Sequence, residues 1–260
     1  KKESPERTSP AENNKTEKCI RIHIIVMGLI LMALGVAYLL FSWNRYQRMA
    51  KTEAIVLAES VQSLLHAEHI TVLTGSPGDV ALPDYQLTKR SLMQLVKTNS
   101  QIRFSYLLGR REDSLYFLVD SEAETSPDYS PPGQIYHEAI TDDLLPFTEG
   151  ISVLSGPMED RWGTWYSALI PVKDPVTQDT IAVLGIDYSV KEWNLRIFKR
   201  IVPDVLIVFS LYAICAALFI TWRNQQKIKT RAAKLALDEA LFHSVFDEVP
   251  IGISVVENTG

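Results

Sequence analysis

The sequence predicts an α+β domain, a five-stranded antiparallel sheet behind a long N-terminal helix, set between two membrane-spanning helices. Three observations carry this. Two uncharged apolar runs, Ile24–Trp43 and Val205–Trp222, stand on either side of a longer mixed segment. Within that segment the apolar period changes once, from helical spacing to alternation. Turn-forming clusters then divide the alternating part into five pieces. The averages, 47% hydrophobic and a formal net charge of −5 over 260 residues, look like an ordinary soluble protein and hide this unevenness.

The first run reads IIVMGLILMALGVAYLLFSW and the second VLIVFSLYAICAALFITW. At ~1.5 Å per residue, twenty residues span a ~30 Å hydrocarbon core. A signal peptide fits the first run poorly, because Trp43, Arg45, Tyr46 and Arg48 follow it where small residues would mark a cleavage site. A buried core helix fits the second poorly, given its length and its terminal tryptophan. Both are read as spanning helices, over 21–43 and 201–222.

Arg223, Lys227, Lys229, Arg231 and Lys234 follow the second run, and Lys15, Lys18 and Arg21 precede the first. This places both flanks in the cytoplasm and residues 44–200 outside it. Arg45, Arg48, Lys51, Lys199 and Arg200 pull mildly the other way, but a translocated domain longer than about 60 residues largely escapes the rule. Cys19 sits at the cytoplasmic edge and Cys215 within the second run, so no disulfide is expected. The outer segment, about 155 residues, is long enough to bury a core of its own. Residues 1–20, rich in Lys, Glu, Ser, Pro and Asn, are expected to lack regular structure. The absence of an initiator methionine fits a piece of a longer protein.

Trp43 to His69 reads as a helix continuing out of the membrane, with Ile55, Leu57, Ala58, Val61, Leu64 and Leu65 falling roughly on one face. TGSPGD and LPDY break it, and Thr88–Thr98 follows as a second amphipathic helix. Ile102, Phe104, Tyr106 and Leu108 then alternate with Arg103, Ser105 and Leu107, as in a strand, and RRED turns the chain into SLYFLVDS. The proline-rich SPDYSPPG is a loop. A short helix over 136–145 and three strands, 152–157, 163–172 and 180–188, complete a meander-like succession.

The closing stretch WYSALIPVKDPVTQDTIAVLGIDYSV resembles the end of an extracytoplasmic PAS-like sensor domain of the Cache, or PDC, family of bacterial receptors. In that family an apolar strand ends in proline-valine, an acidic turn follows, and the next strand reads like Ala182–Asp187, AVLGID. The resemblance covers residues 45–200 as one module and implies a small-molecule pocket. Amino-acid-binding members share an arginine three residues before a tyrosine, then proline-tyrosine-x-aspartate, then the strand-terminal aspartate. Tyr136, Pro157–Asp160 and Asp187 fall on these positions, with Met158 in place of the second tyrosine and Gly133 in place of the arginine. Without that bidentate carboxylate clamp, retained acids suit an amine or another cationic or polar ligand. Arg161 leaves a carboxylate or amino acid open. The implied ligand residues are Asp187, Asp160, Tyr136, Arg161, Trp162 and Tyr106.

Four of these have a plainer reading. Asp160, Arg161 and Trp162 could form a solvated turn whose ion pair contributes little. Asp187 ends an apolar strand and needs a partner, yet could cap a helix starting near Val190. By alternation Trp165, Ser167 and Leu169 share one face and Tyr166, Ala168 and Ile170 the other.

His66 and His69 have a metal-compatible spacing, with Glu68 and His137 as imaginable further ligands but no third-ligand cluster; two solvent-facing histidines at a helix end fit better, and no metal or cofactor is expected. No nucleophile motif or phosphate-binding glycine loop is present, and the acidic outer segment excludes a nucleic-acid surface. Pro203 and Asp204 read as helix-start residues. In the cytoplasmic part, Ile228, Ala232, Leu235, Phe242 and Val245 or Phe246 approximate a heptad seam over a signalling helix, 223–241, and predict a homodimer. LFHSVFDEVPIGISVVENTG resembles the opening of a cytoplasmic PAS domain over 242–260.

Together these resemblances imply the input half of a two-pass receptor in a bacterial inner membrane. A sensor histidine kinase is the expected parent, with a diguanylate cyclase or a non-catalytic chemoreceptor as alternatives. A PAS start directly after the membrane helix favours an enzyme.

Overall fold

The computed structural model describes residues 10–248, which divide into two compact units after Asp204. The first unit opens with α1 (Pro10–Gln62), whose apolar run is exposed all round; Ile25, Leu34 and Leu40 are each more than 60% exposed. A helix apolar on every side needs lipid or a large core around it. Here the run is long and apolar enough to cross a membrane and only 6% of it is buried. Beyond Trp43 the helix changes character. Ala50, Ala54 and Ala58 repeat every fourth residue, are buried, and let the backbone sit close against β4 (Gly163–Lys173). α1 begins at Pro10, so helix occupies part of the tail expected to be irregular; Ala11, Glu12, Lys15, Glu17 and Lys18 prolong a helix nucleated by the apolar run.

The long helix ends at Gln62, earlier than expected, and a separate short helix α2 (Ala67–Thr71) follows. A 3-10 turn, Pro77–Ala81, leads into α3 (Pro83–Thr98), which starts five residues before its expected bound because Pro83 suits the first helical turn. β1 (Phe104–Arg111) and β2 (Ser114–Asp120) form the expected hairpin, with Glu112 at a positive φ of 52° in its turn. α4 (Thr141–Thr148), β3 (Val153–Asp160), β4 and β5 (Thr180–Ser189) complete the domain.

All pairings are antiparallel and the strand order is β2-β1-β5-β4-β3. The sequence therefore meanders in two pieces, and the first strand pairs with the last. Alternation sorts the side chains onto two faces. Leu107, Ala168, Ile170, Leu184, Ile186 and Tyr188 pack against α1, α2 and α3. Phe104, Tyr106, Leu108, Trp165, Leu169 and Val183 form a second apolar layer on the opposite face. Both Trp165 and Tyr166 are accordingly packed: Trp165 stands edge-on to Phe104 at 5.2 Å, and Tyr166 lies 4.7 Å from the ring of Trp193.

α5 (Val190–Glu248) leaves the sheet directly from β5 and runs through Pro203, which is internal to the helix and not its start. A single proline removes one backbone hydrogen bond, and the helix continues through it to Glu248. Its first turns are bound to α1: Trp193 Nε1 donates to Gln47 Oε1 at 3.1 Å, and Arg200 forms a two-pronged pair with Glu53 at 3.0 and 2.9 Å.

In the second unit the same helix carries the other apolar run, again exposed all round, with Phe209 at 72% and Leu218 at 66%. Helix continues through 223–241 to Glu248. Of the segment resembling a PAS opening, residues 242–248 are helical and 249–260 lie outside the described residues.

Candidate ligand-binding site

The pocket lies in the first unit, on the sheet face turned away from α1 and α3. Its floor follows from strand register. Asp187 on β5 is paired with Phe104 on β1 and with Ser167 on β4, so one cross-strand row reads Phe104–Asp187–Ser167. In the next row Tyr106 is paired with Asp120 on β2 and Gly185 on β5. Gly185 is what lets Tyr106 lie down: a Cβ there would come within 2.1 Å of the tyrosine ring. Lying across β5, the Tyr106 hydroxyl donates to Oδ1 of Asp187 at 3.0 Å.

Phe117, Tyr136 and Trp162 close the walls. Phe117 stands edge-on to Tyr106 at 5.5 Å, to Tyr136 at 5.9 Å and to Trp162 at 6.1 Å. Tyr136 belongs to no helix. The expected helix over 136–145 begins only at Thr141, because Gly133–Tyr136 runs along the outer edge of β2, where Tyr136 N donates to the Leu115 carbonyl at 2.8 Å. Asp120, Asp128, Ser130 and Asp160 complete a lining of ten residues around about 320 Å³, part of it open to solvent. The lining is five aromatic residues, four carboxylates and one serine, with no cationic side chain.

The four acids are held differently. Asp160 ends β3 instead of lying in a loop, and its Oδ1 accepts from Trp162 N at 2.8 Å, Gly163 N at 3.0 Å and Trp165 Nε1 at 2.9 Å. It therefore builds the β3–β4 turn and at the same time borders the pocket. Asp128 is paired with Arg103 at 2.8 Å. Asp120 accepts backbone N–H groups from Ser130 at 2.7 Å and Glu122 at 3.1 Å, and burial pushes its carboxyl up to about 6. Asp187, only 5% exposed, has neutral partners alone. Burial pushes it up to about 7, against hydrogen bonds from Ser167 and Tyr106 that favour the ionised form. It does not cap α5.

Five of the six residues expected at the site thus line one pocket: Asp187, Asp160, Tyr136, Trp162 and Tyr106. Arg161 stands outside the lining. Its guanidinium clasps Glu138 at 2.7 and 2.9 Å and covers the Trp162 ring at 4.6 Å, which braces the wall from behind. Phe104, Phe117, Asp120, Asp128 and Ser130 were not expected. Asp120 carries the signal that singled out Asp187, an aspartate closing an apolar strand (YFLVD beside VLGID). His69 bonds to Asp84 of α3, and no metal-holding group of three ligands occurs among the described residues.

No family model matches this chain. No curated protein matches it either. Among solved structures it is similar to the periplasmic domain of RsbU from Chlamydia trachomatis, at 16% identity and a TM-score of 0.39. The match covers 66% of this chain, which spans 58% of that one.

Proposed function

We propose that the chain is the input half of a transmembrane signal-transduction receptor, whose domain between the two apolar runs binds a small organic cation such as an amine. The lining carries this reading: it holds five aromatic residues and four carboxylates but no cationic side chain, and of the four acids Asp128 is the one ion-paired, to Arg103 behind the wall. A ring face attracts a cation within about 6 Å of its centroid, and such a contact is worth ~0.5–2 kcal/mol. A carboxylate ligand would meet four acids and no cationic side chain in the lining, because Arg161 is already taken by Glu138.

The two spans and the basic flanks of the sequence support a position for this domain outside a bacterial cytoplasmic membrane. Signal transfer requires the ligand to favour one of two arrangements, since equal affinity shifts nothing. The route is short. Asp187 lies three residues before the start of α5, and Trp193 and Arg200 tie that helix to α1. A heptad-like cytoplasmic helix would pass the change, in a homodimer, to a PAS domain and an output enzyme of the histidine-kinase class. The test is the melting temperature of the full chain in lipid nanodiscs, with and without small amines. Amines should raise it for the wild type and leave Asp187→Ala unmoved.

A further inference from the structure

We propose that the pocket exchanges a proton on Asp187 for the charge of its ligand, so that an organic ammonium ion binds tightly only where Asp187 has ionised. This rests on the cationic reading of the site and adds its regulation by pH.

The geometry leaves Asp187 little alternative. It is buried at the floor of a cavity, and a buried carboxylate without a counter-charge is costly. The surrounding elements supply none. β1 presents the Tyr106 hydroxyl, and Arg103 reaches it only through its backbone N–H, which donates to the Asp187 carbonyl at 2.8 Å. The Arg103 guanidinium is spent on Glu122 and Asp128, at 2.7 and 2.8 Å. β4 presents Ser167; beyond it in register lies Ser155 of β3, beside Asp143 of α4. Ser155 Oγ and Asp143 Oδ1 are buried and complete no hydrogen bond. The end of β3 adds Asp160, β2 adds Asp120, and the loop before α4 adds Tyr136 and Asp128. Lys89 is held elsewhere, by the carbonyls of Asp120 and Glu122 at 3.0 and 2.6 Å. Everything facing Asp187 is therefore neutral or acidic. This burial, reinforced by Asp160 and Asp143, holds the carboxyl up to about 7.

A ligand ammonium arriving against Asp187 supplies the missing counter-charge. The carboxyl O–H bond breaks, its proton leaves to solvent through the open side, and the carboxylate pairs with the cation; no electrons change hands. Above neutrality the proton is already gone and affinity is constant. Below it, each pH unit weakens binding by up to tenfold. A pocket of this kind reports an ammonium ion and the surrounding acidity as one signal.

The experiment is calorimetric titration of the full chain in zwitterionic nanodiscs with tetramethylammonium and methylammonium chloride, at pH 5.5, 7 and 8.5. Empty nanodiscs serve as the blank. The expected result is a Kd at least tenfold weaker at pH 5.5 than at pH 8.5, with close to one proton released per cation bound at pH 5.5. Asp187→Asn should remove most of the pH dependence, leaving only the smaller part below pH 6 that Asp120 supplies. Tyr106→Phe, which deletes one bond to the ionised carboxylate, should move its midpoint upward and covers the case of an unfolded Asn variant. Binding with the same Kd at all three pH values, and no proton release, overturns the proton exchange while keeping the cation site. No binding of either cation at pH 8.5 overturns both.

Discussion

The Tyr106 hydroxyl reaches Asp187 because residue 185, between them on the sheet, has no side chain. Tyr106 faces Gly185 in register and leans along β5 to the carboxylate two residues on. A polar contact at the floor of the pocket thus depends on a steric vacancy beside it.

Gly185→Ala therefore acts through Tyr106. The residue does not adopt a positive φ, so backbone strain plays no part; the added methyl meets the ring head-on. We expect a loss on the order of 1–3 kcal/mol, as for other overpacked interiors, read as a lowered Tm. Gly185→Ala combined with Tyr106→Leu should recover much of it.

The elevated Asp187 carboxyl has a consequence for stability. Its folded-state value, about 7, lies above the ordinary 3.8, so the contribution is fully present below about pH 4 and lost as pH rises through 7. At about 1.4 kcal/mol per tenfold, the burden above pH 8 is on the order of 4 kcal/mol. Melting curves at pH 4.5, 6 and 8.5 should show Asp187→Asn gaining on the wild type as pH rises. A difference independent of pH would mean that Asp187 is ionised throughout. Asp120 and Asp143 are displaced the same way, so the wild type itself should soften toward alkaline pH.

Lys89 anchors the loop that carries Asp128 and Ser130. Its ammonium donates to two carbonyls and lies 4.5 Å from the Tyr129 ring centre, while burial lowers its pKa. Lys89→Met keeps the volume but leaves those carbonyls unpaired, which should cost about 1–3 kcal/mol. Hydrogen exchange should accelerate in residues 121–130 before the sheet is affected.

Arg161 and Trp162 separate bracing from binding. Arg161→Ala breaks an exposed pair with Glu138, worth at most about 1 kcal/mol, and should leave amine affinity within a few fold. Trp162→Ala removes a ring from the lining and should weaken an amine by about 2- to 30-fold. Titration calorimetry of the two variants gives the comparison.

Much of this was legible in the sequence. The switch from helical spacing to alternation located the five strands, and the strand-terminal aspartate of VLGID located the pocket floor. The equivalent signal in YFLVD was there to be read and leads to Asp120. What sequence could not give was pairing. Alternation says that Tyr106 and Asp187 each face one side of a strand, but only the β1–β5 pairing puts them on the same side and in adjacent rows. The same holds for Arg161: its neighbour in sequence is Asp160, while its partner is Glu138, 23 residues away. Periodicity alone puts Tyr136 in a helix, because the β2 edge that Tyr136 completes is set by tertiary contact, which periodicity does not report.

The central claim, that the pocket takes a cation, is tested most directly by thermal denaturation of the full chain in nanodiscs against panels of amines, amino acids and carboxylates at pH 8.5. A ligand at 100 times its Kd should stabilise by about 2.7 kcal/mol. The account predicts that amines raise the Tm, that carboxylates do not, and that Asp187→Ala abolishes the effect. Stabilisation by a carboxylate, lost in Arg161→Ala, would contradict it.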